Sequence, residues 1–350
     1  MSVPVTISID AMGGDAAPEI VVEGVRLAHE RLPHVRYLLF GDEARIRPLM
    51  DAAPGLAGVC TIRHTDEAVS NDAKPSQVLR TGRRSSMWLA VDAVHKGEAA
   101  GVVSAGNTGA LMAVSKFVLR TLPGIDRPAI AGMFPTIRGE TLMLDLGANV
   151  DCNANNLIEF AVMGEVFARA VLGLEQPSVG LLNVGSEDMK GNDAVKAAAA
   201  ALRESSLPIR FHGFVEGNDI CGGTVDVVVT DGFTGNIALK TAEGTVKFYS
   251  SFLRQAFQSS VLAKIGYLFA KHALNKVKTR TDPRRYNGAM FLGLNGIAVK
   301  SHGGTDAFGF ANAIAVAVDL VAHGYNERIR KEFERLHPQD APSQRAAGNG

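Results

Sequence analysis

Six short loops hold most of the residues that could do chemistry, and all six share one build. They are DAMGGD (10–15), SAGNTGA (104–110), DLGANVD (145–151), NVGSEDMKGND (183–193), TDGFTGN (230–236) and SHGGTD (301–306). Each follows a short apolar run and leads towards a helical pattern, which is the position of a loop at the carboxyl end of a strand. Glycine lets the backbone approach a ligand, and the first N–H groups of a helix have no internal partner, so such junctions suit an anion. The groups offered are Gly13, Gly14, Asp15, Ser104, Gly106, Asn107, Thr108, Gly109, Asn149, Asn183, Ser186, Asp231, Thr234, Gly235 and Gly303. Lys190 and Lys300 supply compensating charge, although a surface charge or a stem lying on the core explains either lysine as well. A capped helix start accounts for any one loop, whereas six together point to a ligand crevice. His302, beside two glycines, is a site donor or a turn residue.

What these loops lack is informative too. None matches GxxxxGK[ST] or places GxGxxG after a strand, so ATP and dinucleotides are not indicated and no cofactor is expected. Asp10, Asp15, Asp145, Asp151, Asp231 and Asp306 are scattered without ligand spacing. Capping or orientation suits them better than a metal, and no metal is expected.

Positioning the loops requires a sheet. Apolar runs at 5–10, 36–41, 99–106, 128–134, 141–147, 178–185, 209–215, 225–232, 289–294 and 297–301 read as strands. Helical patterns at 18–32, 76–96, 153–173, 190–204 and 306–323 lie between them, so the expected fold is α/β, a largely parallel sheet with flanking helices. No linker divides residues 1–337, which are expected to form a single two-lobed catalytic domain; 338–350, poor in large apolar residues, reads as a disordered tail.

Composition narrows the function classes. Of 350 residues, 46% are hydrophobic, enough for a sizeable core, and 36 basic residues balance 36 acidic ones, so no global field argues for nucleic acid. Cys60, Cys152 and Cys221 are odd in number and far apart, as reduced cytoplasmic thiols would be. The N-terminus shows no secretion signal and no run is long enough to span a membrane, so a cytoplasmic location is expected.

Residues 245–280 stand apart. From Gly244 to Thr281 there is no Asp or Glu, yet Lys247, Arg254, Lys264, Lys271, Lys276, Lys278 and Arg280 are basic. Val261, Ile265, Leu268 and Phe269 share one helical face and Lys264 and Lys271 another, which reads as a basic amphipathic hairpin. Packing on the core or on a dimer partner fits this periodicity. So does peripheral contact with anionic lipid at the inner face of the membrane through Lys264, Leu268, Phe269 and Lys271.

The loops, together with RRSSM (83–87), GFVEGNDI (213–220) and KSHGGTDAF (300–308), resemble the bacterial phosphate acyltransferase family over residues 5–325, in the family's order. The resemblance implies a fold similar to the isocitrate dehydrogenase and phosphotransacetylase group and a homodimer. It also implies transfer of a long-chain acyl group from acyl carrier protein to inorganic phosphate, giving acyl-phosphate for phospholipid synthesis. Gly304 and Thr305 stand where the family pattern leads one to expect two serines, so no side-chain role is assigned there. On this basis phosphate attacks the thioester directly, without a nucleophilic side chain. Lys190 and Lys300 supply charge, SAGNTGA cradles phosphate, Asn236 with the Gly235 backbone binds the oxyanion, and His302 holds phosphate or protonates the departing thiolate. The alternatives are a short-chain phosphotransacetylase using acyl-coenzyme A and a non-catalytic membrane-associated scaffold that binds acyl carrier protein.

Overall fold

Val102 and Val103 are both buried, yet they belong to different hydrophobic clusters, one on each face of a single sheet. Met143 and its neighbours Leu142 and Leu144 divide in the same way, as do Val228 and its neighbours Val227 and Val229. Side chains alternate along a strand, so a sheet covered on both faces takes apolar residues at every position. This is why these strands read as continuous apolar runs.

The computed structural model describes residues 5–205 and 207–336. The expected tail at 338–350 lies outside them. Eleven strands form one sheet: β1 (Thr6–Asp10), β2 (Arg36–Gly41), β3 (Cys60–His64), β4 (Gly101–Ser104), β5 (Ala129–Pro135), β6 (Glu140–Leu144), β7 (Ser178–Leu182), β8 (Arg210–Val215), β9 (Val227–Val229), β10 (Ala289–Leu292) and β11 (Ile297–Lys300). Their spatial order is β3, β2, β1, β4, β11, β10, β5, β6, β9, β7, β8. The first five are mutually parallel, and so are the last four. Between these sets the β11–β10, β10–β5 and β5–β6 pairings are antiparallel, so the two parallel sets run in opposite directions.

Helices cover both faces. On one lie α1 (Glu19–Arg31), α2 (Glu43–Asp51), α6 (Ala154–Ala170), α7 (Asp193–Glu204), α11 (Ala307–Ala322) and α12 (Tyr325–Leu336). On the other lie α3 (Pro75–Thr81), α4 (Ser86–His95), α5 (Thr108–Leu119), α8 (Gly217–Gly222) and the first turns of α9 (Gly232–Gln258). Phe310 and Ile314 of α11 are fully buried, each contributing roughly 1.5–3 kcal/mol. The remaining helix, α10 (Val261–Arg280), buries no residue.

Three local expectations are corrected. β3 was not expected, because on the sheet edge only alternate residues are partly covered and the apolar signal fades. The helix expected over 76–96 is two helices. The chain turns after Gly82, and the Ser85 hydroxyl accepts the Trp88 N–H at 3.3 Å to restart it. The helix expected from 190 begins at Asp193, where the Asn192 side chain accepts the Val195 N–H at 2.9 Å.

Candidate active site

The opposed strand directions decide where the six loops go. β1, β4 and β11 are adjacent and end at one edge of the sheet, bringing together 10–15, 104–110 and 301–306. β6, β9 and β7 are also adjacent and end at the opposite edge, with 145–151, 230–236 and 183–193. The expectation of six loops lining one crevice is therefore corrected: one chain forms two three-loop clusters. Met290 pairs with Val299 and with Ala131, and Ala131 pairs with Leu144, so Val299 and Leu144 are level. Three strand spacings separate them, roughly 14 Å.

Asp10, at the end of β1, organises the first cluster. Its buried carboxylate accepts from the Ser86 and Ser104 hydroxyls, each at 2.6 Å, and from the Met12 N–H at 3.3 Å. Ser104 in turn accepts the Gly106 N–H at 3.0 Å. The Asp15 N–H donates to the Gly303 carbonyl at 3.0 Å, and the Asn71 amide donates to the Asp15 carboxylate at 2.9 Å. Gly14 has φ +107°, and a Cβ there would lie 3.2 Å from the Gly303 carbonyl oxygen, so the loops after β1 and β11 meet only because this residue is glycine.

Much of the cradle expected in SAGNTGA is consumed by this packing. The Asn107 amide donates to the Asn71 carbonyl at 2.6 Å and its oxygen caps α5 through the Ala110 N–H at 2.9 Å. Thr108 and Gly109 are exposed in the first turn of α5, and their N–H groups have no acceptor among the described residues. Lys300 is 8% exposed, and its ammonium donates to the carbonyls of Ala105 (3.3 Å) and Ser301. His302 is exposed; its Nδ1 accepts the Gly304 N–H at 3.1 Å, which leaves Nε2 outward.

Asp145 plays the same part at the second edge. Fully buried, it accepts the N–H groups of Ile130 (2.9 Å), Gly147 (3.1 Å), Ala148 (3.0 Å) and Asn149 (2.7 Å), and the Asn149 amide at 2.9 Å. The start of α9 packs so closely that a Cβ on Gly235 would collide with the Asp145 carbonyl oxygen. Asp231 caps α9, accepting the Thr234 N–H at 2.8 Å and its hydroxyl at 2.9 Å. The Gly235 N–H donates to the Asp231 carbonyl at 3.0 Å, so its expected place in an oxyanion hole is corrected: the glycine is there for close approach.

Two groups at this edge stay free. The half-buried Asn236 faces Gly147, and its amide has no hydrogen-bond partner among the described residues. On the adjacent loop, Asn183 donates to the carbonyls of Gly185 and Lys190, each at 3.1 Å, which shapes the turn. Lys190 is exposed and makes no ion pair among the described residues, and Ser186 is exposed beside it.

Burial dominates the electrostatics. It raises the pKa of Asp10 against hydrogen bonds from Ser104, Ser86 and Met12, and it lowers that of Lys300 to about 8 against the pull of Asp10 and Asp15. Because the Lys300 pKa is lower in the folded chain than the usual 10.5, the unfolded chain holds the extra proton between pH 8 and 10.5. Stability therefore rises with pH across that window, by up to about 1.4 kcal/mol per unit. Urea denaturation from pH 7.5 to 10 should show this slope in wild type relative to Lys300→Met; identical slopes would mean that Lys300 titrates normally. Burial also pushes the Cys60 and Cys152 thiols up to about 12, which leaves both poor nucleophiles at neutral pH. Among the described residues no three His, Cys, Asp or Glu side chains converge as metal ligands.

A family model described as "Fatty acid synthesis protein" matches residues 5–328. The phosphate acyltransferase of Paramagnetospirillum magneticum is 83% identical over 349 residues, 99% of each chain. The chain belongs to the phosphate acyltransferase family. The Rhodospirillum rubrum phosphate acyltransferase is 68% identical over 336 residues, 96% of each chain. A phosphotransacetylase from Streptococcus pyogenes shares the fold, with a TM-score of 0.58 at 17% identity over 91% of this chain and 94% of that one. A branched-chain phosphotransacylase from Enterococcus faecalis gives 0.55 at 16%, over 91% and 99%.

Membership of the phosphate acyltransferase family makes the protein an acyltransferase of fatty acid synthesis. Several residues that shape its loops carry no chemical signal of their own in the sequence. Asn71 lies in a polar stretch between elements, and Ser86 was visible only as part of RRSSM. Asn287 was missed altogether. Its amide donates to the Ser301 hydroxyl (2.8 Å) and the Gly309 carbonyl (2.7 Å), and its oxygen accepts the His302 N–H at 2.9 Å.

Proposed function

We propose that the protein transfers a long-chain acyl group from acyl carrier protein to inorganic phosphate by direct attack on the thioester, at the edge formed by the loops after β6, β9 and β7. The observation that carries this is the unpartnered Asn236 amide and the unpaired Lys190, on the loops that follow the adjacent strands β9 and β7. Lys190 offsets phosphate charge and brings it to the carbonyl, and Asn236 donates to the oxygen as it becomes negative. Phosphate is already anionic, and Cys60 and Cys152 are held as thiols, so no acyl-enzyme is needed. The departing thiolate, with a solution pKa of about 8.5, needs little acid help. At the first edge the Thr108 hydroxyl and His302 Nε2 face the rest of the donor. The decisive assay is phosphate-dependent release of carrier protein from its palmitoyl thioester, with the acyl-phosphate trapped by hydroxylamine. Product from acetyl-coenzyme A alone would point to short-chain transfer, and no acyl-phosphate from any donor would leave a scaffold.

The α9–α10 hairpin, in a protein proposed to be a homodimer, is proposed to bind the inner, cytoplasmic face of an anionic membrane peripherally. Leu268 is 68% and Phe269 86% exposed, and neither Lys264 nor Lys271 has an ion-pair partner among the described residues. No single described helix is long and apolar enough to cross a membrane. Each basic residue near the surface adds about 1 kcal/mol of attraction to anionic lipid. Wild type should sediment with anionic vesicles at low salt. Leu268→Glu and Phe269→Glu should stay in the supernatant while retaining transfer in solution; equal pelleting would return the segment to protein packing.

A further inference from the structure

At its base the hairpin meets the body of the protein and forms a groove that the acyl-transfer loops do not use. The Arg280 guanidinium donates to the carbonyls of Thr136 (3.0 Å) and Ile137 (2.8 Å), fastening the end of α10 to the turn after β5. The Tyr286 hydroxyl donates to the Arg280 carbonyl at 2.9 Å, closing a short 3-10 turn, Pro283–Tyr286, against the helix. Between them lies an open groove of about 500 Å³ lined by His272, Asn275, Lys276, Arg280, Arg285 and Tyr286.

The groove is cationic, its Arg285 only partly offset by Asp282. His272, Lys276 and Arg285 make no ion pair with any described residue. Of the carboxylates near enough to act on its lining, Asp282 is held by Arg284 at 2.6 Å, and Glu140 acts on the Tyr286 hydroxyl. A phosphate ester satisfies such a set: the Arg285 fork takes two of its oxygens and Lys276 supplies a further charge. The groove is also tied to the first-edge loops. Arg285 lies two residues before Asn287, whose side chain fixes Ser301 and His302.

We propose that this groove binds the phosphate ester at the end of the acyl donor's arm, the pantetheine phosphate common to acyl carrier protein and coenzyme A. Resting on the acyl-transfer assignment above, it would hold the arm at the first edge while the thioester reaches across the sheet to Asn236. A lipid headgroup suits the place less well, because Arg280 is twelve residues from Leu268, about 18 Å along α10, and is fastened to the body of the protein at Thr136 and Ile137.

Rates with palmitoyl-phosphopantetheine and with palmitoyl-pantetheine, which lacks the phosphate, test this. Arg285→Ala and Lys276→Ala should each raise KM for the phosphorylated donor about tenfold, the loss of one charge-assisted hydrogen bond, with kcat little changed. KM for the unphosphorylated donor should not move. Equal effects on both donors, or none, overturn the proposal. Calorimetry with phosphopantetheine itself reads the groove without turnover: wild type should bind it at least about tenfold more tightly than Arg285→Ala does. That difference in a protein forming no acyl-phosphate would sink the reaction and keep the groove; no binding by wild type would sink the groove. If Arg285→Ala loses anionic vesicles in sedimentation while its donor KM stays intact, the groove takes a lipid headgroup and the donor assignment fails.

Discussion

Asn236→Ala and Lys190→Ala should each lower kcat by about 10²- to 10³-fold with the fold intact, the usual cost of one preorganised donor to a developing oxyanion or its equivalent in charge. The expectation for Asn236 rests on its isolation: nothing in the described chain uses its amide, so truncation orphans no internal partner. Lys190 is exposed and unpaired, and its removal should likewise spare stability. Loss of an interaction made in the transition state lowers kcat and kcat/KM together, whereas loss of simple phosphate binding raises KM alone. Initial rates of palmitoyl-phosphate formation at several phosphate concentrations separate the two. A wild-type kcat in either variant would remove that residue from the chemistry. Asn236→Asp should be as impaired as Asn236→Ala or worse, because a carboxylate repels both phosphate and oxyanion.

Asp145→Ala should cost on the order of 4 kcal/mol of stability. Four backbone N–H groups, those of Ile130, Gly147, Ala148 and Asn149, converge on this fully buried carboxylate. An orphaned buried donor costs about 1–3 kcal/mol, and water entering the gap would satisfy some but not all of them. Total stabilities of about 5–15 kcal/mol make that a large share. Asp145→Asn should lose less, since one acceptor oxygen remains, but its amide hydrogens must face donors. The midpoint of urea unfolding at constant slope measures both. A loss below about 1 kcal/mol in Asp145→Ala would show that the loop holds its shape without the carboxylate. Because Gly147 faces Asn236, Asp145→Asn should also lower kcat even where it remains folded.

The sequence alone determined a great deal. Continuous apolar runs mark strands buried on both faces, and the start of α10 at Val261 follows from Ser260, whose hydroxyl accepts the Ala263 N–H at 3.1 Å. Gly-rich loops after strands named nearly every residue that later gathers at an edge. β3 escaped because an edge strand needs little apolar surface. Asn287 escaped because its importance lies in three hydrogen bonds to residues 14 and more positions away, which no local pattern records.

Only the tertiary structure decided which loops meet. Local sequence shows that a strand ends in a glycine-rich turn, but its direction relative to a strand many residues distant is set by pairing across the sheet. Three antiparallel pairings, β11–β10, β10–β5 and β5–β6, reverse the second half of the sheet and divide six similar loops into two groups of three. The same folding decided which donors remain for a ligand. Asn107 and Asn236 look alike in sequence, each near glycine at the start of a helix. Packing of 71–73 against α5 uses up the amide of Asn107, whereas close approach of α9 to Asp145 leaves that of Asn236 unpaired, because a hydrogen bond depends on what long-range packing brings within about 3 Å.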